Sequence, residues 1–223
     1  MEADHRKHFA HPEHPLLKTH YDSKSTKICD ICHAKLSGLV GYRCNDCDFD
    51  IHEACADYFK ETVSFFAHPW HTLTLSRIPD GTIKWSCNIC RESCPPGMLV
   101  YRCIKCNFDV HPLCTLLPQT IRSPLHPKHD LNMVPGSGRC SGCCKDLNIW
   151  HYRCGFCLYK SHIGCAVSGT PPISAQNTTA VGQNRITSVA KFLLKTSFVI
   201  AINAATDGRA LPVLNVLEAA LVD

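Results

Sequence analysis

No stretch of the 223-residue chain reaches about 18 uninterrupted apolar residues, which excludes a membrane-spanning helix. Charge is also scarce. Asp, Glu, Lys and Arg make up 19% of the residues, and the formal net charge is +4. A long disordered acidic or basic chain is therefore excluded. The N-terminal segment MEADHRKHFAHPEHP lacks the apolar stretch of a secretory signal. The expectation is an intracellular protein, cytoplasmic or nuclear, with neither signal peptide nor transmembrane segment.

Cysteine and histidine are abundant, at 17 and 14 residues. Secreted chains use Cys for disulfides, whereas intracellular chains use Cys and His for metals. Disulfides would not explain the His enrichment, and 17 is odd. Metal binding explains both residue types.

The surplus is organised as three copies of one unit. GYRCNDCDFDIHEAC (41–55), VYRCIKCNFDVHPLC (100–114) and HYRCGFCLYKSHIGC (151–165) share Tyr-Arg-Cys-x2-Cys-x4-His-x2-Cys. Another Cys-x2-Cys lies upstream of each, and a His-Pro-x-His lies upstream of that. Unit one offers His11, His14, Cys29, Cys32, Cys44, Cys47, His52 and Cys55. Unit two offers His68, His71, Cys87, Cys90, Cys103, Cys106, His111 and Cys114. Unit three offers His126, His129, Cys140, Cys143, Cys154, Cys157, His162 and Cys165. Cys94 and Cys144 are left over and read as bystanders, although Cys144 could replace Cys143. His5, His8, His20, His33 and His151 read as surface or packing residues.

A Cys-x2-Cys turn presents two thiolates to one ion and so supplies half of a tetrahedral site. His-x2-Cys and His-x2-His do the same with imidazole. Eight ligands per unit make two four-coordinate sites, and mixed sulfur and nitrogen donors favour zinc over calcium or magnesium. The expectation is six Zn²⁺, two per unit, in closed structural sites. Spacing alone leaves the pairing open. Sequential pairing gives two independent knuckles, and alternate pairing gives one interleaved module. The interleaved form is preferred, with His-x2-His joined to the second Cys-x2-Cys and the first Cys-x2-Cys joined to His-x2-Cys. A redox role for the Cys-x2-Cys pairs is the competing reading, but no βαβ pattern surrounds them. Units of 40–47 residues rarely hold together by apolar burial alone, so metal is expected to be a condition of folding.

On these motifs, each unit resembles the divergent Cys/His-rich branch of the phorbol-ester/diacylglycerol-type (C-one) zinc domains, a branch abundant in plants and often found in tandem. The resemblance spans 11–165. It implies the interleaved two-zinc fold, with small sheets and a short helix at His-x2-Cys. It does not by itself imply lipid binding. The segments between the two Cys-x2-Cys pairs are shorter than in lipid-binding relatives, and the bracing Pro and Gln of those relatives have no clear counterpart. Apolar tips remain at Leu39–Val40, Met98–Leu99–Val100 and Ile149–Trp150, and are expected to pack beneath their own zinc sites.

The predicted architecture is three tandem interleaved two-zinc α+β modules, at 11–55, 68–114 and 126–165, followed by a flexible linker (166–185) and a helical tail (186–223). Apolar periodicity predicts one helix over 186–208, ending near Asp207-Gly208, and another over 212–222. Together they make a hairpin. Its apolar face needs a surface, whether self-association through 186–223, another protein or a membrane interface. Protein contact is the expectation.

If fifteen Cys bind as thiolates and six Zn²⁺ are held, the formal charge falls from +4 to about +1, so the apparent basic signal fades. Unit three has five basic and two acidic residues. Its Trp150, Tyr152, Arg153 and Lys160 make it the candidate for RNA or single-stranded DNA. No site shows an open metal position or a paired acid and base. The functional expectation is therefore a non-enzymatic interaction or adaptor protein of plant signalling or stress-response type. Diacylglycerol or anionic-lipid binding, or nucleic-acid binding by unit three, are the alternatives.

Overall fold

A computed structural model describes residues 5–81, 84–166, 191, 193–194 and 196–221. Over these residues the chain is mostly small sheets with few helices. In the first sheet, β1 (His5–His8), β2 (His11–His20), β3 (Val40–Arg43) and β4 (Asp50–His52) lie side by side, all antiparallel. Helix α1 (Glu53–Tyr58) follows.

The second sheet repeats this order with β5 (Thr62–Phe65), β6 (His68–Arg77), β9 (Leu99–Cys103) and β10 (Phe108–Val110). Between β6 and β9 lies a small ribbon of β7 (Trp85–Ser86) and β8 (Ser93–Cys94). A 3₁₀ turn over Pro112–Leu116 stands where α1 stands in the first module. The third sheet is β11 (Thr120–Ser123), β12 (His126–Pro135), β13 (Trp150–Cys154) and β14 (Lys160–Ser161), again in chain order. Single bridges, Ile28 with Lys35 and Arg139 with Asp146, replace the small ribbon in the first and third modules.

The sequence accounts for these strands locally. Alternation sends Leu73 and Leu75 of β6, and Leu131 and Met133 of β12, inward while their neighbours face water. Each module starts with a tight reversal that pairs His8 with His11, Phe65 with His68 and Ser123 with His126, after a register shift. That reversal places His-x2-His at the head of the second strand three times. The Tyr of each Tyr-Arg-Cys is buried, and two of them anchor the chain as it enters their module. Tyr101 donates to Lys60 O at 2.7 Å, and Tyr152 donates to Pro118 O at 2.6 Å.

The buried apolar residues form one cluster that runs through the modules, with Leu16, Ile31, Leu36, Phe49 and Ile51 in the first and Leu73, Ile78, Ile89, Val100 and Val110 in the second. The expected linker lies outside the described residues except for Ala166, as do 186–190, 192 and 195 of the expected first tail helix. The described tail contains α2 (Thr196–Thr206) and α3 (Leu211–Leu221). The first ends as its sequence predicts. Asp207 and Gly208 adopt positive φ, and Gly208 N–H donates to Asn203 O at 3.0 Å, which stops the helix. The apolar face of the hairpin is covered by the chain itself. Helix α2 packs on β11 and α3 on α1, burying Leu193, Ile202, Ala210, Val213, Leu214 and Leu217. The tail thus lies across parts of the first and third modules.

Candidate metal centres

The donor atoms gather in the interleaved pattern. His11, His14, Cys44 and Cys47 offer donors within 4.8 Å of one another, as do Cys29, Cys32, His52 and Cys55. The second module repeats this with His68, His71, Cys103 and Cys106, and with Cys87, Cys90, His111 and Cys114. In the third, His126, His129, Cys154 and Cys157 form one group. Cys143 and Cys165 approach His162 Nδ1 at 3.3 and 3.7 Å, and Cys140 completes that group beside the Cys143 and Cys165 thiols.

Their separations test the fit of a metal. A tetrahedral zinc with Zn–N of 2.0–2.1 Å and Zn–S of 2.3 Å requires donor edges of about 3.3–3.8 Å. His11 Nε2 and His14 Nδ1 are 3.3 Å apart, and His126 Nε2 and His129 Nδ1 are 3.2 Å apart. Cys47 and Cys106 lie 3.3 Å from His14 Nδ1 and His71 Nδ1. Cys32 and Cys55 lie 3.3 and 3.7 Å from His52 Nδ1, and Cys90 and Cys114 lie 3.4 and 3.9 Å from His111 Nδ1. These separations match the edges of a metal tetrahedron. His68 Nε2 is buried without a hydrogen-bond partner, at the position where His11 and His126 point Nε2 into their clusters. A metal would satisfy it.

The electrostatics call for a cation. Burial opposes a charge on Cys29, but hydrogen bonds from Cys32 and Cys55 and the neighbouring His52 outweigh it and hold the thiol well below its usual range. Hydrogen bonding to Cys29 and Cys32, with burial, pushes Cys55 well above its own. Burial disfavours a charged His52 ring, yet the Cys29 and Cys32 charges prevail and push it up to about 11. A divalent cation lets every thiol ionise.

The turns that present the thiolates have a visible cause. The residue after each first Cys-x2-Cys, His33, Arg91 or Cys144, takes positive φ. Its N–H donates to Cys29 O, Cys87 O or Cys140 O, respectively. Cys144 is thereby turned outward and exposed, and Cys143 rather than Cys144 meets His162. The residue after each first Cys ties this knuckle to the sheet. Asp30 accepts from Asp50 N–H, Asn88 from Asp109 N–H and Ser141 from Lys160 N–H, at 2.9, 2.9 and 3.2 Å.

Two supports were not legible from ligand spacing. An aromatic ring stacks at 4.7 Å on the first His of each module: Phe49 on His11, Phe108 on His68 and Tyr159 on His126. Its signal was present in the sequence, as an aromatic two residues after the second Cys of each Tyr-Arg-Cys-x2-Cys. The other support is Cys94. His52 Nε2 lies 2.9 Å from Lys35 O and His162 Nε2 lies 2.8 Å from Asp146 O, whereas His111 Nε2 faces the buried Cys94 Sγ at 3.3 Å. Cys94 therefore touches a ring of this candidate metal cluster, although the repeat's ligand pattern left it as a bystander.

The apolar tips divide. Met98, Leu99 and Val100 are buried, Leu39 and Val40 are half-buried, and Ile149 is exposed. Trp150 is half-buried and meets Phe66 of the second module edge-on at 6.4 Å. Tyr152 is fully buried, which removes it as a stacking platform for bases and corrects that expectation. No helix among the described residues is long and apolar enough to cross a membrane.

The C1 domain family matches residues 9–56 and 66–115. Across an alignment of 167 positions that covers 65% of this chain, the sequence is 26% identical to diacylglycerol kinase theta of Rattus norvegicus. It is 25% identical to diacylglycerol kinase theta of Mus musculus over the same length. The match covers 17% of each relative, so the chain corresponds to about one sixth of their length. No solved structure matches significantly.

Proposed function

Since residues 9–56 and 66–115 belong to the C1 domain family, we propose that the chain is a non-enzymatic, zinc-built interaction protein of intracellular signalling or stress-response type. Three modules would hold six Zn²⁺, the third being a divergent copy with the same strand order. The observation that carries this reading is the set of donor edges of 3.2–3.9 Å in the interleaved pattern. Each site would take its four donors from the protein and leave no position for a reacting water, so the metal serves structure rather than catalysis. What the modules then offer is a rigid surface, and protein partners are its first occupants. The kinase activity in the relatives' name belongs to proteins about six times the length of the matched region and is not part of the proposal.

The test compares the zinc-loaded chain with a Cys29→Ser, Cys87→Ser, Cys140→Ser variant in proximity labelling in cells. Neighbours labelled by the intact chain and lost with the variant support the reading. An identical set of neighbours contradicts it.

A further inference from the structure

The last hairpin of each module sets an arginine opposite one residue of the neighbouring strand, and the third module changes that residue. In the first, Arg43 of β3 pairs with Asp50 of β4, and its Nε lies 3.8 Å from the buried carboxylate. In the second, Arg102 of β9 pairs with the buried Asp109 of β10, at 3.4 Å. In the third, Arg153 of β13 pairs with Lys160 of β14. Residues directly opposite on antiparallel strands share a face, and like charges there oppose the pairing.

The arginine loses a second neighbour too. Two residues before the first Cys ligand of each module stand Lys27, Trp85 and Gly138. Lys27 Nζ lies 3.4 Å from Asp50, and the Arg102 guanidinium sits over the Trp85 ring at 4.0 Å. Gly138 offers no side chain. A Cβ there would meet Lys160 Nζ at 3.2 Å, so the glycine leaves the space that this amine fills. The amine donates to Ser137 O at 3.3 Å. Arg153 is exposed and, among the described residues, has no ion-pair partner. Two cations therefore stand together where the other modules place a carboxylate.

The tip of the same hairpin differs in kind. The first module exposes Asn45, Asp46 and Asp48 there, and the second exposes Ile104, Lys105 and Asn107. The third exposes Phe156 (84%) and Leu158 (92%). The Phe156 ring leans on the ligand ring of His129 at 5.2 Å, which holds it while most of it stays in water. Phe156 is three residues from Arg153, so their Cα atoms lie within about 11 Å of each other. Charge divides the modules in the same way. Five thiolates and two Zn²⁺ leave one negative charge per module. The third, with five basic and two acidic residues, then stands near +2, whereas the first, with five and seven, stands near −3.

We propose that the β13–β14 hairpin of the third module binds single-stranded nucleic acid, with a base on Phe156 and backbone phosphates on Arg153 and Lys160. A phosphate beside the two cations supplies the negative charge that Asp50 and Asp109 supply in the other modules. A flat ring next to two cations matches a ligand in which flat bases alternate with phosphates. Of the residues that the sequence suggested for such a ligand, Arg153 and Lys160 keep the role. Phe156 replaces the buried Tyr152 and the half-buried Trp150. The site is separate from the protein contacts proposed above and needs only a folded third module.

The test uses the full zinc-loaded chain and fluorescence anisotropy of labelled oligo(U) and oligo(dT), with zinc content measured on the same samples. Binding is expected to weaken as salt rises. Phe156→Ala is expected to weaken it about tenfold with zinc retained, the scale of one base stacked on an aromatic ring. Arg153→Gln with Lys160→Gln is expected to lower the salt slope by about 1.4, for two phosphates released. Lys160→Asp separates the ligand site from the fold. It restores the pairing of the first module, so it is expected to weaken binding while raising the thermal midpoint. In the zinc-loaded chain, no binding at low salt overturns the inference, as does binding insensitive to salt. Binding that Phe156→Ala and Lys160→Asp leave unchanged also overturns it. So does tighter binding of a duplex than of single strands, or displacement of the oligomers by an acidic peptide at equal concentration.

Discussion

Cys94 Sγ stands 3.3 Å from His111 Nε2, on the ring atom that His52 and His162 direct at backbone carbonyls. The ligand is the same in all three modules, but its support differs in the second. Groups that orient metal ligands commonly govern affinity by 10–100-fold. Cys94→Ala is expected to raise the rate or extent of zinc loss from the Cys87, Cys90, His111 and Cys114 site by about tenfold. Cys94→Ser, which keeps a hydrogen-bonding atom there, is expected to lose less. Competition with a chromophoric chelator reads both. Equal zinc retention in wild type and alanine variant would show that Cys94 does not support His111.

Zinc removal is expected to unfold the modules rather than merely empty them. Each module is short, and structural zinc contributes on the order of 10 kcal/mol to folding in zinc-built domains of this size. Excess chelator should abolish the native circular dichroism spectrum and make the buried thiols reactive together. A folded spectrum after complete metal removal would assign stability to the cores instead.

Acid should act in the same direction. The ligands bind deprotonated, so bound protons compete with zinc and apparent affinity falls as pH falls. Loss of structure on acidification should coincide with zinc release, and added zinc should shift the midpoint to lower pH. A midpoint independent of zinc concentration would separate the transition from the metal.

Gly41 begins the pairing of β3 with β4, and an added Cβ would lie 2.3 Å from Ile51 O and 3.0 Å from the Leu36 and Tyr21 side chains. A backbone oxygen at that distance cannot step aside cheaply. Gly41→Ala is expected to destabilise the first module by about 1–3 kcal/mol, read as a lower thermal midpoint with zinc in excess. An unchanged midpoint would mean that β3 and β4 do not approach this closely.

Leu217 of α3 is fully buried, and α3 packs on α1. Leu217→Ala is expected to cost about 2–5 kcal/mol of tail docking. Hydrogen exchange should then rise in α3 and α1 together. Faster exchange confined to α3 would show that the tail does not brace the first module.

Much of the candidate site was legible in the sequence because metal chemistry leaves a short-range signature. Two residues between Cys ligands, repeated with His partners, specify small turns, and the three copies align Cys29, Cys87 and Cys140 without any structure. Spacing alone left open which pair joins which, since that depends on β2 lying beside β3 and bringing His14 to Cys47, 33 residues apart; the family resemblance was what implied the interleaved pairing. The partner of His111 was hidden for the same reason. Cys94 lies outside the repeat's ligand pattern and reaches His111 only through the β7–β8 ribbon. The tail showed its helices and its stop at Gly208, because periodicity and a left-handed cap are local. It could not show what covers its apolar face, since α1 lies some 150 residues earlier in the chain. The apolar tip of the third module was hidden too. Phe156 reads as an ordinary residue between ligands until its exposure is known.

Metal content per chain tests the central claim most directly. Elemental analysis of the purified full chain, normalised to protein concentration from amino-acid analysis, should give six zinc. About three would contradict the interleaved two-site module, and a value near zero would contradict a zinc-built protein altogether.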